Sequence, residues 1–190
     1  MAKTNHPIEK LVEIISYKGV ACEVVERPDV TWVGCVGYEN LDATELSQQT
    51  MDETIKRFHS LIEIEKRERI NPDWSSAISL NFCSPDKPVG IMFAQEVYTA
   101  EQDERYDIIT QPGGLWLRVQ RTEESMTALI GEKVDDFDLH RFFNPLEEVA
   151  KANGYVHNPN VNMEIEYHCH AEYSTPPHTG YAYIPIVRKA

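Results

Sequence analysis

One short pattern occurs twice in this chain, and it constrains the fold more than any other feature. Pro28-x-x-x-Trp32 recurs as Pro112-x-x-x-Trp116, and Glu39 recurs as Glu123, each 84 residues on. Further along, Asn81-Phe82-Cys83 aligns with Tyr167-His168-Cys169, and Gly90-Ile91-Met92-Phe93 with Gly180-Tyr181-Ala182-Tyr183. The order of expected elements matches too, as two diverged copies of one supersecondary unit require. The competing reading is two unrelated halves of an α+β fold. Two like units pack about a pseudo-twofold axis, and the seam between them is a favoured place for a ligand.

Each copy reads as strand–helix–strand–strand. In the first, residues 22–38 form a strand interrupted at Pro28, because proline cannot donate to a ladder. Met51, Ile55, Phe58 and Ile62 recur at helical spacing, which predicts a helix over about 44–69, ended by Asn71-Pro72. Residues 77–83 and 88–98 alternate as strands around the turn Ser84-Pro85-Asp86-Lys87. In the second, residues 107–123 form a strand broken at Pro112-Gly113-Gly114. A helical stretch runs through Phe137, Phe142 and Phe143, and a further helix starts at Asn144-Pro145 with Asn144 as its cap. Asn153-Gly154 closes it, and residues 162–170 and 180–187 are the last strands. Residues 7–18 read as a short amphipathic helix stopped by Gly19. The expected organisation is a helical extension over residues 1–20 and one domain over 21–190, with repeats of about 21–100 and 101–190.

Composition narrows the function classes. Acidic residues outnumber basic ones 31 to 18, for a net charge of −13. A nucleic-acid binder needs a basic face, so no direct contact with nucleic acid is expected. No apolar run of about 18 residues exists, so no membrane span is expected. Without a signal-peptide core the expected compartment is the cytoplasm. Cys22, Cys35, Cys83 and Cys169 are widely spaced and read as reduced, mostly buried thiols.

The segment Glu-Arg-Pro-x-x-Thr-x-x-Gly (Glu26 to Gly34), the Pro-Gly-Gly-x-Trp segment (Pro112 to Trp116), Asn153-Gly154-Tyr155 and Tyr-Ile-Pro-Ile (Tyr183 to Ile186) come in a telling order. Together they resemble the GyrI-like family, the effector-binding domain of AraC-type and MerR-type multidrug-sensing regulators of bacteria. The resemblance covers roughly residues 20–187 and implies a stand-alone member. It implies two strand–helix–strand–strand modules around a ligand cleft, with antiparallel sheets flanked by two main helices. It also implies binding of planar, hydrophobic, often cationic drugs. Some stand-alone relatives resemble inhibitors of DNA gyrase, and others are hydrolases that open the cyclopropane of DNA-alkylating natural products. Many sensors carry a cation-meeting Glu two residues before the Tyr of Tyr-Ile-Pro-Ile, where this chain has Tyr181.

The aromatic residues Trp32, Trp74, Phe82, Phe93, Tyr98, Trp116, Tyr167, Tyr181 and Tyr183 are the candidate lining, since ring faces stack on planar ligands and attract cations. Plain core packing is the alternative for each. Among carboxylates, Glu96 shares a strand face with Met92, Ala94 and Tyr98, and is expected to point into the cavity beside Tyr181 as a catalytic or cation-meeting pair. Glu164 and Glu166 share a face with His168 and His170; they read as a solvated face, with Glu166 a secondary ligand candidate. His168-x-His170 with Glu166 or His178 is a weak zinc pattern. No metal and no cofactor is expected.

Three functions follow: binding a planar, hydrophobic small molecule, neutral or cationic, for xenobiotic sensing, sequestration or resistance; hydrolytic ring opening of a cyclopropanoid; and gyrase inhibition by protein contact. A basic protein partner or a second copy of the chain stays open.

Overall fold

The computed structural model describes residues 8–61, 69–70, 74–82, 84–134, 142–170 and 180–189, except for the side chains of 167–170. Among them run β1 (Lys10–Tyr17), β2 (Val20–Arg27), β3 (Val30–Tyr38), α1 (Gln48–Leu61), β4 (Trp74–Leu80), β5 (Gly90–Val97), β6 (Asp107–Gln111), β7 (Gly114–Arg121), α2 (Glu123–Ile130), α3 (Phe143–Ala152), β8 (Tyr155–His157), β9 (Met163–His170) and β10 (Gly180–Arg188). The fold is α+β, with all strand pairs antiparallel.

The strand order is β1-β2-β7-β10-β9-β4-β5-β3-β6, with β8 also on β10. From β2 to β6 this order is a palindrome. β3, β5 and β4 of the first half mirror β7, β10 and β9 of the second, and the halves meet where β4 pairs with β9. The first strand of each half is exchanged: β2 pairs with β7, and β6 pairs with β3.

The repeated Pro segments explain the exchange. β2 and β3 are one strand bent at Pro28-Asp29, and β6 and β7 are one strand bent at Pro112-Gly113. The two bent strands keep a single register through the bend, from Cys22↔Val119 and Arg27↔Gly114 to Val30↔Gln111 and Gly34↔Asp107. Gly113 N–H donates to Asp29 Oδ1 at 2.6 Å. A Cβ on Gly113 would lie 2.9 Å from the backbone of Pro28 and Asp29, so only glycine fits the crossing.

Alternation sorts the side chains onto two faces. Leu117, Val119, Ala182, Ile184 and Ile186 pack with α2 and α3 through Leu129, Leu146 and Val149. Val25, Val30, Trp32, Ile78, Met92, Ala94, Trp116, Ile165 and Tyr183 form a second core on the other face. α1 covers β3 and β5, and Gly37 lets it approach: a Cβ there would sit 2.0 Å from Thr54 Oγ1.

The N-terminal helix expected over 7–18 is instead β1, an edge strand. Its sequence is rich in β-branched residues (Val12, Ile14, Ile15), which favour a pleated surface. Lys18 and Gly19 both take positive φ, 49° and 81°, as a two-residue hairpin turn demands. Gly19 therefore turns a hairpin rather than ending a helix. Two other expectations change. Glu123 begins α2, capped by Thr122 through a capping box with Ser125 and closed by Gly131 at φ 90°. And α3 starts at Phe143 with Phe142 preceding it in helical conformation, so Asn144 lies inside the first turn and is not the cap. The expected stretch around Phe137 lies outside the described residues, as do Ile62 and Asn71-Pro72. Cys22 and Cys35 are buried free thiols, and burial pushes Cys22 up to about 11. No helix of the described residues is long and apolar enough to cross a membrane.

Candidate functional site

The second core is not wholly apolar. At its centre lies Arg27, the last residue of β2, with a side chain that is 0% exposed. Its guanidinium carbon is 5.8 Å from the Trp32 ring, 5.9 Å from the Trp116 ring and 5.3 Å from the Tyr183 ring. The repeat makes this box: Trp32 and Trp116 occupy equivalent positions on β3 and β7, one on each side of the seam. Gln111 is the counterpart of Arg27, 84 residues on, and is also buried. Trp32 Nε1–H donates to Gln111 Oε1 at 3.0 Å.

Carboxylates neutralise the buried cation. Glu96 sits opposite Trp32 in the β3–β5 ladder and accepts from Arg27 Nη2 in a buried ion pair. The side chain of Glu9, just before β1, is also buried, its Oε1 3.4 Å from Arg27 Nε. Its Oε2 pairs with Arg118 and accepts from the Tyr183 hydroxyl at 3.4 Å. Arg118 stands on β7, two residues beyond Trp116 and so on the same face. It also pairs with Glu23 at 2.7 Å, and its guanidinium lies 4.6 Å from the centre of the Tyr181 ring.

The electrostatics follow from burial. Desolvation pulls the Arg27 guanidinium down, and Glu9 works against it. Burial also works against Arg118, but Tyr183 and Glu9 outweigh it, and its net shift is upward. Tyr183 is pushed up, first by burial and then by Glu9, so it stays a hydroxyl. Buried ion pairs of this kind hold together only when the hydrogen-bonding groups are matched in number and place.

The sequence candidates separate by where the structure places them. Trp32, Trp116, Tyr183 and Glu96 line the box. Tyr181 lies at its edge, half-buried, stacked on Trp74 (6.3 Å, 13°) and tilted against Tyr183 (6.2 Å, 58°). Phe93 lies opposite Cys35, on the face that α1 covers, and Tyr98 is 62% exposed just past β5. The structure brings neither to the box. The side chains of Tyr167, His168 and His170, and the whole of His178, lie outside the described residues. Sequence reasoning missed Arg27, Arg118 and Glu9. The signal was present: Arg27 adjoins Pro28 at the bend, two residues along the same face from Val25, and Arg118 follows Trp116 by two.

Glu164 and Glu166 correct another expectation, since neither is solvated: they are 6% and 3% exposed. β9 lies between β4 and β10, so both of its edges are paired. Glu166 accepts from the Ser79 hydroxyl. Ser79 alternates with Ile78 and Leu80, which places this carboxylate on the face away from the box. Burial first, then the neighbouring Glu164, raise Glu166 to about 7 against the pull of Arg121. In the folded protein it holds its proton between about pH 4.5 and 7 while the unfolded chain has released it, so stability falls as pH rises through that window. Glu166→Gln is expected to match wild type at pH 4.5 and exceed it at pH 8 by up to roughly 3 kcal/mol, read from urea unfolding at both pH values.

An open concavity of about 340 Å³ lies away from the box, between Lys18, Leu129, Ile130, Asn144, Pro145 and Glu148, with no aromatic side chain among its described lining residues. The box itself is filled by Arg27 and closed to solvent.

No family model matches the chain, and no curated protein matches it in sequence. Solved structures do match its fold. SAV2435, in a structure bound to tetraphenylphosphonium, superposes with a TM-score of 0.58 at 12% identity over 93% of this chain and 94% of that one. The C-terminal domain of EcmrR gives 0.56 at 10% identity over 88% and 97%. An integron cassette protein from the mobile metagenome of Vibrio cholerae gives 0.51 at 10% identity over 87% and 95%. At these identities the likeness is one of fold: this chain shares the architecture of those proteins along nearly its whole length.

Proposed function

We propose that this protein binds a small planar organic molecule at the aromatic box on the seam between its two halves. The observation that carries this reading is the enclosure of a buried charge by Trp32, Trp116 and Tyr183. A core built only for stability has little use for an arginine surrounded by three rings, since apolar residues of like volume serve as well or better. Rings around a charge are what a recognition site for an aromatic ligand needs. SAV2435 shares the fold and was captured with a tetraphenylphosphonium ion, which supports small-molecule binding on this architecture. The acidic net charge, −13, argues against a nucleic-acid partner.

The cationic specificity expected from sequence fits this box poorly. Arg27 already holds the cation's place, and a cationic ligand would have to displace it or sit beside two guanidiniums. Ring-opening hydrolysis also has less support. Glu96 is committed to Arg27, and Tyr181 lies over Arg118, so the tentative pair is not set up as acid and base on one substrate. Contact with gyrase has only the acidic surface behind it.

A panel of planar aromatic compounds (cations, anions and neutral molecules) tests the reading by thermal shift and tryptophan fluorescence. A ligand that binds only the folded state raises the melting temperature by mass action, and one at the box perturbs Trp32 and Trp116. Tyr181→Ala, at the half-buried edge, is expected to weaken a binder by about tenfold, the scale of a lost stacking contact. A panel in which no compound shifts the midpoint at its solubility limit overturns the proposal.

A further inference from the structure

Glu9 differs in origin from the three groups around it. Arg27, Arg118 and Tyr183 stand on β2, β7 and β10, three consecutive strands paired on both edges. Glu9 stands on no strand; it precedes β1, an edge strand with a register shift between Leu11 and Glu13. A fixed set of donors thus surrounds a carboxylate delivered by a peripheral segment. The neighbouring Ile8 packs against the same core as Tyr181. Ile8 and Glu9 together put an apolar body and a carboxylate into the box.

The donors exceed what the strand-borne carboxylates take up. Glu96 serves one nitrogen of Arg27, and Glu23 serves Arg118. With Glu9 removed, Arg27 Nε, one nitrogen of Arg118 and the Tyr183 hydroxyl all face the vacated place. Arg27 Nη1 has no hydrogen-bond partner among the described residues even with Glu9 present, and Arg27 is 1% exposed. Two guanidinium forks and a phenol converging on one point are a carboxylate receptor. Tyr181 and Trp74, stacked at its edge, offer ring faces to whatever the carboxylate is attached to.

We propose that Glu9 is a built-in stand-in for the carboxylate of an aromatic acid, and that such an acid binds by displacing the Ile8–Glu9 segment from between Arg27, Arg118 and Tyr183. This deepens the proposed function and rests on it. The charge count agrees. Exchange of one carboxylate for another leaves the buried balance unchanged, whereas a neutral molecule in place of Glu9 leaves Arg27 Nε and one Arg118 nitrogen without an acceptor, and a cation there adds a third positive charge against the two carboxylates of Glu96 and Glu23. A tethered carboxylate competes at an effective concentration in the millimolar range. A bare anion such as acetate therefore fails to displace it, and the aromatic body supplies the difference.

Titration calorimetry on the full chain tests this with three matched probes: naphthalene-2-carboxylate, naphthalene-2-carboxamide and 2-naphthylmethylammonium. The carboxylate is expected to bind Glu9→Ala at least about tenfold more tightly than wild type, one charge-assisted contact freed from competition. The amide and the ammonium are expected to gain less than about twofold, because neither uses the freed donors. Adding Arg118→Gln to Glu9→Ala is expected to abolish the gain. If Glu9→Ala does not fold, the near-isosteric Glu9→Gln serves the same comparison. An equal gain for all three probes, or none for the carboxylate, overturns the inference. If the amide or the ammonium binds wild type at the box while the carboxylate gains nothing, the box remains a ligand site and this inference alone falls. If no probe binds either protein, both readings fall.

Discussion

Arg27→Met is expected to destabilise the fold by about 3–5 kcal/mol, the usual cost of stranding one member of a buried ion pair. At this chain length that is a fall in melting temperature of roughly 10 °C. Methionine fills the volume between Trp32, Trp116 and Tyr183, so little of the loss comes from a cavity. The loss comes from Glu96, a carboxylate left in a ring-lined interior without its guanidinium, and from Glu9 nearby. The double variant Arg27→Met/Glu96→Leu removes both charges and is expected to recover most of the stability, to within about 1 kcal/mol of wild type. Urea denaturation of both singles and the double closes the cycle. A double variant no more stable than Arg27→Met would show that the pair is not what holds the charge in place.

Gly34→Ala is expected to cost at least about 4 kcal/mol, beyond ordinary overpacking, because the clash is with main chain rather than with a movable side chain. A Cβ at Gly34 would lie 2.0 Å from the carbonyl oxygen of Phe93 and 2.7 Å from Ala94 Cα. β3 and β5 would have to separate where Gly34 pairs with Ala94. That point is two residues from the Trp32–Glu96 pair, so box and fold should fail together. A soluble Gly34→Ala protein with a wild-type melting temperature would mean that the strands separate at little cost.

Much of this fold was legible in the sequence, and the reasons differ by element. Pro28 and Pro112 betrayed the repeat because a bend between two strands admits few residue types, and the bend is where the halves cross. The central strands β4, β5, β9 and β10 declared themselves by composition and alternation. β1 did not, because Leu11, Ile15 and Tyr17 fit a helical stripe as well as a strand, and only the paired positive φ of Lys18 and Gly19 decides for a hairpin. α2 was missed because it is short, and Thr122 was read as the tail of a strand instead of a cap. Within the site, the rings and Glu96 could be placed by counting residues along a strand. Arg27 and Arg118 could not be weighed that way: counting assigns them a face, but an arginine on a strand is ordinarily read as solvent-facing. Their burial depends on carboxylates that are 69 residues away, in Glu96, and 109 away, in Glu9.

The exchanged first strands give the molecule the architecture of a strand-swapped dimer drawn into one polypeptide. A half on its own would present the place of its missing neighbour as an open edge, and the strand that fits there belongs to the other half. Joining the halves in one chain makes that exchange intramolecular, at an effective concentration no free pair could reach. Arg27 ends a strand given away by the first half, and the box around it draws on rings from both. It follows that the box is a property of the assembled pair: a state in which either half is unfolded has no box at all, and the ligand proposed for it would act as a clamp across the exchange.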